Sequence, residues 1–389
     1  MGRQLNLIAL VLFACAMFVR STDPVIPQIA GELAVDPATV ALLSTAFTLP
    51  YALVQPLFGA LADMFSKARM MMICLLAGSV ATIVCGFATN FEVLVGARMV
   101  AGLATGGVMP IAFALIGDKF AIAERQVAMG RLLLAIMSGN LLGATFAGVI
   151  GDLFGWRSVF FVTGAFAVFA FAAAIPGLRN LTETTGRFDL STLGPNYRTI
   201  FSNPLAKICY TVVFLEAVFM YGLFPYIATM LHEAGETRAS IAGLVLGGFG
   251  IGGAIYALSV SRVLPMLGET WLMRGGGMVM GFCLLVVAMR VPWPIEFVNF
   301  VLLGFGFYML HAVIQIYASE LAPAARGSAM ALHSFFFFMG HAVGPLVYGA
   351  GIATVGVTPV LLVGSVVLVT AGFVCAQWLK RAPPTPTPT

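Results

Sequence analysis

Apolar runs of about twenty residues, each long enough to cross the hydrocarbon layer of a bilayer as a helix, follow one another through nearly the whole chain, parted by short polar or Gly/Pro-marked turns. In lipid a helix satisfies its backbone polar groups internally, so a run of this kind has little choice of fold. The runs fall near 5–30, 37–62, 69–88, 92–116, 126–149, 156–176, 208–231, 240–263, 271–291, 295–318, 327–353 and 358–379, which predicts twelve transmembrane helices, numbered here as spans 1 to 12. Their shared Gly, Phe and Met content suits helices packing in lipid, not the in-and-out alternation of barrel strands. Composition closes the soluble alternative: charged residues make up 9 % of the chain, against roughly 25 % in an ordinary globular domain. The bilayer is the expected solvent.

The N-terminal run resembles the apolar part of a signal peptide, but it continues past Pro24 without a small-residue cleavage site, and another span follows at once. It is read as a retained first helix. Basic residues set the orientation. With both termini inside, fifteen Lys and Arg fall on the cytoplasmic side and three, Arg157, Arg238 and Arg290, on the other, while Arg20 and Arg98 lie inside spans. The long polar connection between Pro176 and Pro204 divides the spans six and six. The expected organisation is a six-helix bundle over 1–176, a cytoplasmic loop over 177–207, a second bundle over 208–379 and a disordered tail over 380–389.

Six cysteines sit singly inside apolar runs, with no CxxC pair, and read as small buried hydrophobes. No HExxH or other dense ligand spacing suggests a metal, no cofactor is implied, and no basic tract suits nucleic acid.

The second half repeats the first. An offset of 201 residues pairs Arg125 with Arg326, Ala128 with Ala329, Met129 with Met330, Gly139 with Gly340, Gly143 with Gly344, Gly148 with Gly349 and Gly155 with Gly356. Parallel repeats related by an axis along the membrane normal build a cavity between two six-helix bundles, an architecture made for alternating access.

The loop after span 2 reads GALADMFSKAR, Gly59 to Arg69. It resembles the loop signature of the major facilitator superfamily: Gly59, Leu61, Ala62, Asp63 and Lys67 match, whereas Met64, Ser66 and Ala68 depart from it. Arg98 followed by Gly102 in span 4 is similar to a motif of that family's drug:proton antiporter branch, with Ala101 where Gln is usual. Span 5 carries Gly130, Gly139, Gly143, Ala144, Ala147 and Gly148, the spacing of the branch's antiporter motif with alanine in place of its proline and one glycine. Span 11 holds Gly340, Gly344, Pro345 and Gly349, so the proline stands in the other repeat. GWRSVFF, Gly155 to Phe161, looks like the family's short turn into span 6. The resemblance implies an all-α fold of two pseudo-symmetric six-helix bundles. It also implies a cytoplasmic gate at Gly59, Asp63, Lys67 and Arg69, and a central cavity lined by spans 1, 4, 7 and 10.

Ionisable groups at span depth are costly and by default face a cavity or a partner. They concentrate on those four spans: Arg20 and Asp23 on span 1, Arg98 on span 4, Glu216 on span 7, and Tyr308, His311 and Gln315 on span 10. Spans 3, 6 and 12 have none in their interiors. Arg20 and Asp23, three apart, share a helix face. Either they neutralise one another, or Asp23 or Glu216 takes the proton and Arg20, with Asp23 facing the external vestibule, is free to hold an acidic substrate. Glu216 has no basic residue at i±3 or i±4, which makes it the candidate proton site; alternatively it is a carboxyl bonded permanently to a neighbouring helix. Tyr308, His311 and Gln315 share one face, and His333 and His341 lie two turns apart on span 11.

The expected function is secondary transport by a monomer in a cell membrane, with a bacterial inner membrane the expected site. The leading expectation is proton-coupled export of a small apolar or amphiphilic compound; the alternative is uptake or exchange of a small organic anion. An enzyme would need a nucleophile with its base, a metal cluster or a nucleotide loop, and a receptor a signalling domain, and neither is present in the sequence.

Overall fold

A computed structural model describes residues 2–61, 66–119, 122–178, 193–322 and 325–379. Among these, eleven helices are long and apolar enough to cross a membrane. One of them, Ala239–Ala288, has 50 residues, which at 1.5 Å per residue is about 75 Å, more than twice the hydrocarbon thickness. Its backbone turns at Gly268, where φ is 73° and ψ 163°. Only glycine adopts that conformation without strain, so the helix is two passes, spans 8 and 9, and the total is twelve. The others are Gly2–Leu33, Pro37–Leu61, Lys67–Gly86, Phe91–Lys119, Ile122–Phe154 and Trp156–Leu178 in the first half, then Pro204–Glu233, Trp293–Glu320, Arg326–Val355 and Val357–Trp378. A short helix, Leu193–Ser202, precedes span 7.

Three of the spans that meet the cavity are broken, span 4 at Gly106–Gly107 and spans 1 and 7 in a way common to both. Span 1 runs as a helix to Arg20, turns through Asp23–Val25 and resumes as Ile26–Leu33. Span 7 runs to Tyr221 and resumes at Phe224. Pro24 and Pro225 supply the break, each lacking the N–H a continuing helix would need, and they too stand 201 apart. The repeat is equally visible in packing. A methyl group added to Gly143 would lie 2.7 Å from the Met17 carbonyl oxygen, and one added to Gly344 the same distance from that of Val218, which is Met17 displaced by 201. Gly139 and Gly340 meet the equivalent carbonyls of Phe13 and Phe214. These four glycines let spans 5 and 11 lie directly against the backbones of spans 1 and 7. Gly148 and Gly349 diverge: the first packs on Ala239 in the other half, the second on the Tyr226 hydroxyl, which donates to the Pro345 carbonyl at 2.7 Å.

The halves are joined more closely at one end than at the other. One hydrophobic core fills the C-terminal half and continues into Val25, Ile29, Val40, Leu94, Ala144 and Trp156, while a second core is built wholly from residues of the N-terminal half. Bonds cross between the halves at the shared end: Thr45 Oγ1 donates to the Ala342 carbonyl at 2.7 Å, and the Tyr51 and Phe338 rings lie 4.6 Å apart. Large apolar side chains of spans 3, 6 and 12 point outward, among them Ile73, Val80, Phe169 and Val366. All six cysteines are buried.

Of the gate residues, Gly59 lies in the last turns of span 2, and Asp63 falls outside the described residues. Lys67 and Arg69 open span 3, where Ser66 caps the helix. The buried Lys67 ammonium pairs with Asp118, at the end of span 4, at 2.9 Å.

Candidate functional site

Between the halves lies a cavity of about 450 Å³. It runs from Arg20 and Phe224, near the shared core, to Leu264, Glu269 and Leu272 toward the opposite end. Spans 5, 8, 10 and 11 supply most of its wall; span 1 contributes Val19 and Arg20, and span 4 only Met109. The wall is largely apolar and rich in aromatic rings, with Tyr221, Phe249, Phe307, Tyr308 and Phe337 around it.

Tyr308, His311 and Gln315 line this cavity together, as does Arg20. Asp23, Arg98 and Glu216 do not. The Asp23 carboxylate, fully buried at the break in span 1, accepts from Arg20 Nη1 at 3.2 Å and from Ser44 Oγ at 2.8 Å. In this structure it does not face an external vestibule: Pro24 turns the chain there, and the side chain is drawn toward span 2. The Arg98 guanidinium, also fully buried, stacks 4.3 Å from the centre of the Phe47 ring and donates to the Phe18 carbonyl at 3.1 Å, just before the break. It binds span 1 to spans 2 and 4 and does not face the cavity. Arg20 completes the cluster with its guanidinium 4.4 and 4.5 Å from the ring centres of Tyr221 and Phe224, a cation–π contact across the two halves.

Glu216 sits immediately behind the wall. Its Oε2 is 2.8 Å from His311 Nδ1, and the carboxylate is wholly buried. The imidazole in front of it stacks on Phe307, with ring centres 4.7 Å apart, and meets the His333 ring at 5.2 Å. His311 is thus the group through which Glu216 reaches the cavity. A carboxyl and an imidazole in hydrogen-bonding contact can hold and pass a single proton. Helical spacing could not reveal this pair, because its members lie 95 residues apart.

Four further wall residues carry polar groups: His333 and His341, already noted on span 11, and Asn140 and Glu269, which the sequence reading passed over. Asn140 on span 5 leaves its Oδ1 without a partner; His333 and His341 do the same with Nε2; Glu269 bonds the Tyr317 hydroxyl at 3.0 Å. Asn140 was discoverable as the lone amide inside the glycine-rich run of span 5. Among the described residues no group of three His, Cys, Asp or Glu side chains is arranged to hold a metal ion.

Comparison with known proteins agrees with this architecture. Multidrug resistance protein 1 of Bacillus subtilis (strain 168) is 25 % identical over 340 residues, 87 % of each chain. Quinolone resistance protein NorA of Staphylococcus aureus (strain Mu50 / ATCC 700699) is 27 % identical over 359 residues, 90 % of each. Among solved structures, a bacterial homologue of the human lysosomal transporter Spinster, in an inward-facing and unoccupied conformation, superimposes with a TM-score of 0.73 at 18 % identity, covering 99 % of both chains. The nucleoside transporter NupG, in a mutant form, gives 0.77 at 16 % identity, covering 97 % of this chain and all of the other. The family model described as Major Facilitator Superfamily matches residues 8–289 and 238–389. The chain belongs to the major facilitator superfamily and is a membrane transporter, not an enzyme.

Proposed function

We propose that this transporter exports a small apolar or amphiphilic compound from the cytoplasm in exchange for protons. The observation that carries the reading is the Glu216–His311 pair, a proton-holding couple whose imidazole forms part of an aromatic cavity wall. Exchange requires that proton and cargo exclude one another. A proton placed on this pair adds positive charge at the wall, and a cargo molecule stacked against His311 and Phe307 removes the water that would stabilise that charge. The names of the relatives, a multidrug and a quinolone resistance protein, favour export. The excess of basic residues near the loops after spans 2, 4, 8 and 10 supports a cytoplasmic position for that end, and for both termini.

The test is Glu216→Gln in protein reconstituted into vesicles. Glutamine can still bond His311, so the wall keeps its shape, but the proton is no longer exchangeable. Gradient-driven accumulation should vanish while substrate-for-substrate exchange persists. Unchanged proton coupling would sink the reading.

A second reading has an observation of its own. Arg20, Arg98 and Asp23 are all buried, and with Asp23 ionised the cluster carries one positive charge in excess. Arg20 Nη2 has no partner. A monoanionic cargo would balance that charge, and would bind more readily once Glu216 has lost its own negative charge to a proton. Cargo and proton would then travel together. An imposed inward proton gradient separates the two: it drives cargo out of the compartment under the first reading and in under the second.

A further inference from the structure

Spans 2 and 8 occupy equivalent places in the two repeats, and their N-termini are finished differently. Asp36, just before span 2, accepts from the Thr39 N–H at 3.2 Å, an ordinary local cap. The position before span 8 is Arg238, which makes no side-chain cap bond. Its guanidinium is turned away onto Glu236, at 2.8 and 2.7 Å. The first N–H groups of span 8 are nevertheless satisfied, by a residue of the other half: Asp152 Oδ1 accepts from Ala239 N at 2.7 Å and Oδ2 from Ser240 N at 2.8 Å.

We propose that Asp152 is a borrowed helix cap that latches the two halves together at this end and is released when the transporter opens there. Asp152 lies in the last turn of span 5. A carboxylate there opposes the negative C-terminal end of its own helix but is favoured at the positive N-terminus of span 8. Docked, both helices benefit; separated, span 8 loses its cap and Asp152 is left facing its own helix end. The contact sits on a strip along which spans 5 and 8 touch directly, with the Gly148 backbone on Ala239 and Thr145 Oγ1 donating to the Gly243 carbonyl at 3.4 Å. Farther along, at Leu133, Ile136, Val260 and Leu264, the same two helices line the cavity. The cap therefore holds the closed end of the helix pair. The inference depends on neither the coupling ion nor the cargo.

The test measures how the closed end is populated. Nitroxide labels at Phe87→Cys and Met289→Cys, exposed positions at the ends of spans 3 and 9, report the separation of the halves by pulsed electron–electron resonance in lipid nanodiscs. Asp152→Ala should raise the long-distance population about fivefold, the ratio one capping interaction supports. Arg238→Ser keeps the Asp152 carboxylate but removes a cation near it and gives span 8 a cap of its own in both states, so it should produce a similar shift. The double substitution should shift no further than either single one. A distribution unchanged in either single variant, or shifts that add in the double one, would overturn the proposal.

Discussion

The two halves break their first helix at equivalent prolines and then use the break for opposite purposes. In the N-terminal half the carbonyl of Phe18, just before the break, is taken by the Arg98 guanidinium, and the turn itself holds Asp23 against Arg20 and Ser44. In the C-terminal half the carbonyl of Phe219, Phe18 displaced by 201, is taken by the neutral Tyr348 hydroxyl at 2.8 Å, and the position matching Arg20 is Tyr221. The ionisable groups there stand elsewhere, as Glu216 and His311. One backbone frame thus carries an ion-paired cluster on one side and a hydrogen-bonded carboxyl–imidazole pair on the other. The difference teaches that the repeat specifies where helices bend and touch, while the chemistry is assigned half by half.

The strongest way to break that comparison is to remove the N-terminal carboxylate. Asp23→Asn keeps the shape but leaves two arginines buried without a counter-ion, which should cost about 3–5 kcal/mol. Thermal unfolding of the purified protein should show a large fall, while Glu216→Gln, which buries no new charge, should stay near the wild type. Comparable losses in the two would erase the distinction between a structural and an exchangeable cluster.

The shared frame is probed next. Gly143→Val and Gly344→Val force branched side chains against the Met17 and Val218 carbonyls, and each should destabilise by about 1–3 kcal/mol through overpacking. Similar losses in the same unfolding assay sharpen the view of one frame used twice; a harmless Gly344→Val beside a damaging Gly143→Val would deny it. Smallest is Arg20→Lys, which keeps the charge beside Asp23 but gives up the planar group over Tyr221 and Phe224. The loss should be about 0.5–2 kcal/mol, well below that of Asp23→Asn. Equality of the two would mean that stacking, not charge, holds the halves together at Arg20.

Much of this was legible in the residues because lipid leaves few options. The spans and the repeated glycines follow from hydropathy and spacing alone, while the outward position of spans 3, 6 and 12 is what the family resemblance implies and their lack of interior ionisable groups agrees with it. The cavity was less legible. Spacing along one helix identifies Tyr308, His311 and Gln315 as neighbours, but it carries no information about what faces them from another helix, and so Glu216 stood without its partner. Arg98 and Asp23 were drawn toward the cavity by the cost of burying charge, whereas rings and a freed carbonyl meet that cost inside the N-terminal half. The cap on span 8 was hidden for the same reason, since Asp152 and Ala239 are 87 residues apart.

The packing of the repeat also records how the two copies have changed length. Gly139 meets the Phe13 carbonyl and Gly340 that of Phe214, an offset of 201, but Gly102 meets the Phe47 carbonyl and Gly304 that of Phe249, an offset of 202. One residue has been gained between Pro225 and Phe249 and given back before Gly340. Inserted within a helix, a single residue would rotate everything beyond it by about 100°, carrying a glycine off its carbonyl and a lipid-facing side chain into the core. The connection ahead of span 8, residues 234–238, is longer than its counterpart at 34–36, and there the extra residue turns nothing. Ancestry has edited this protein at its hinges and left its helices in phase.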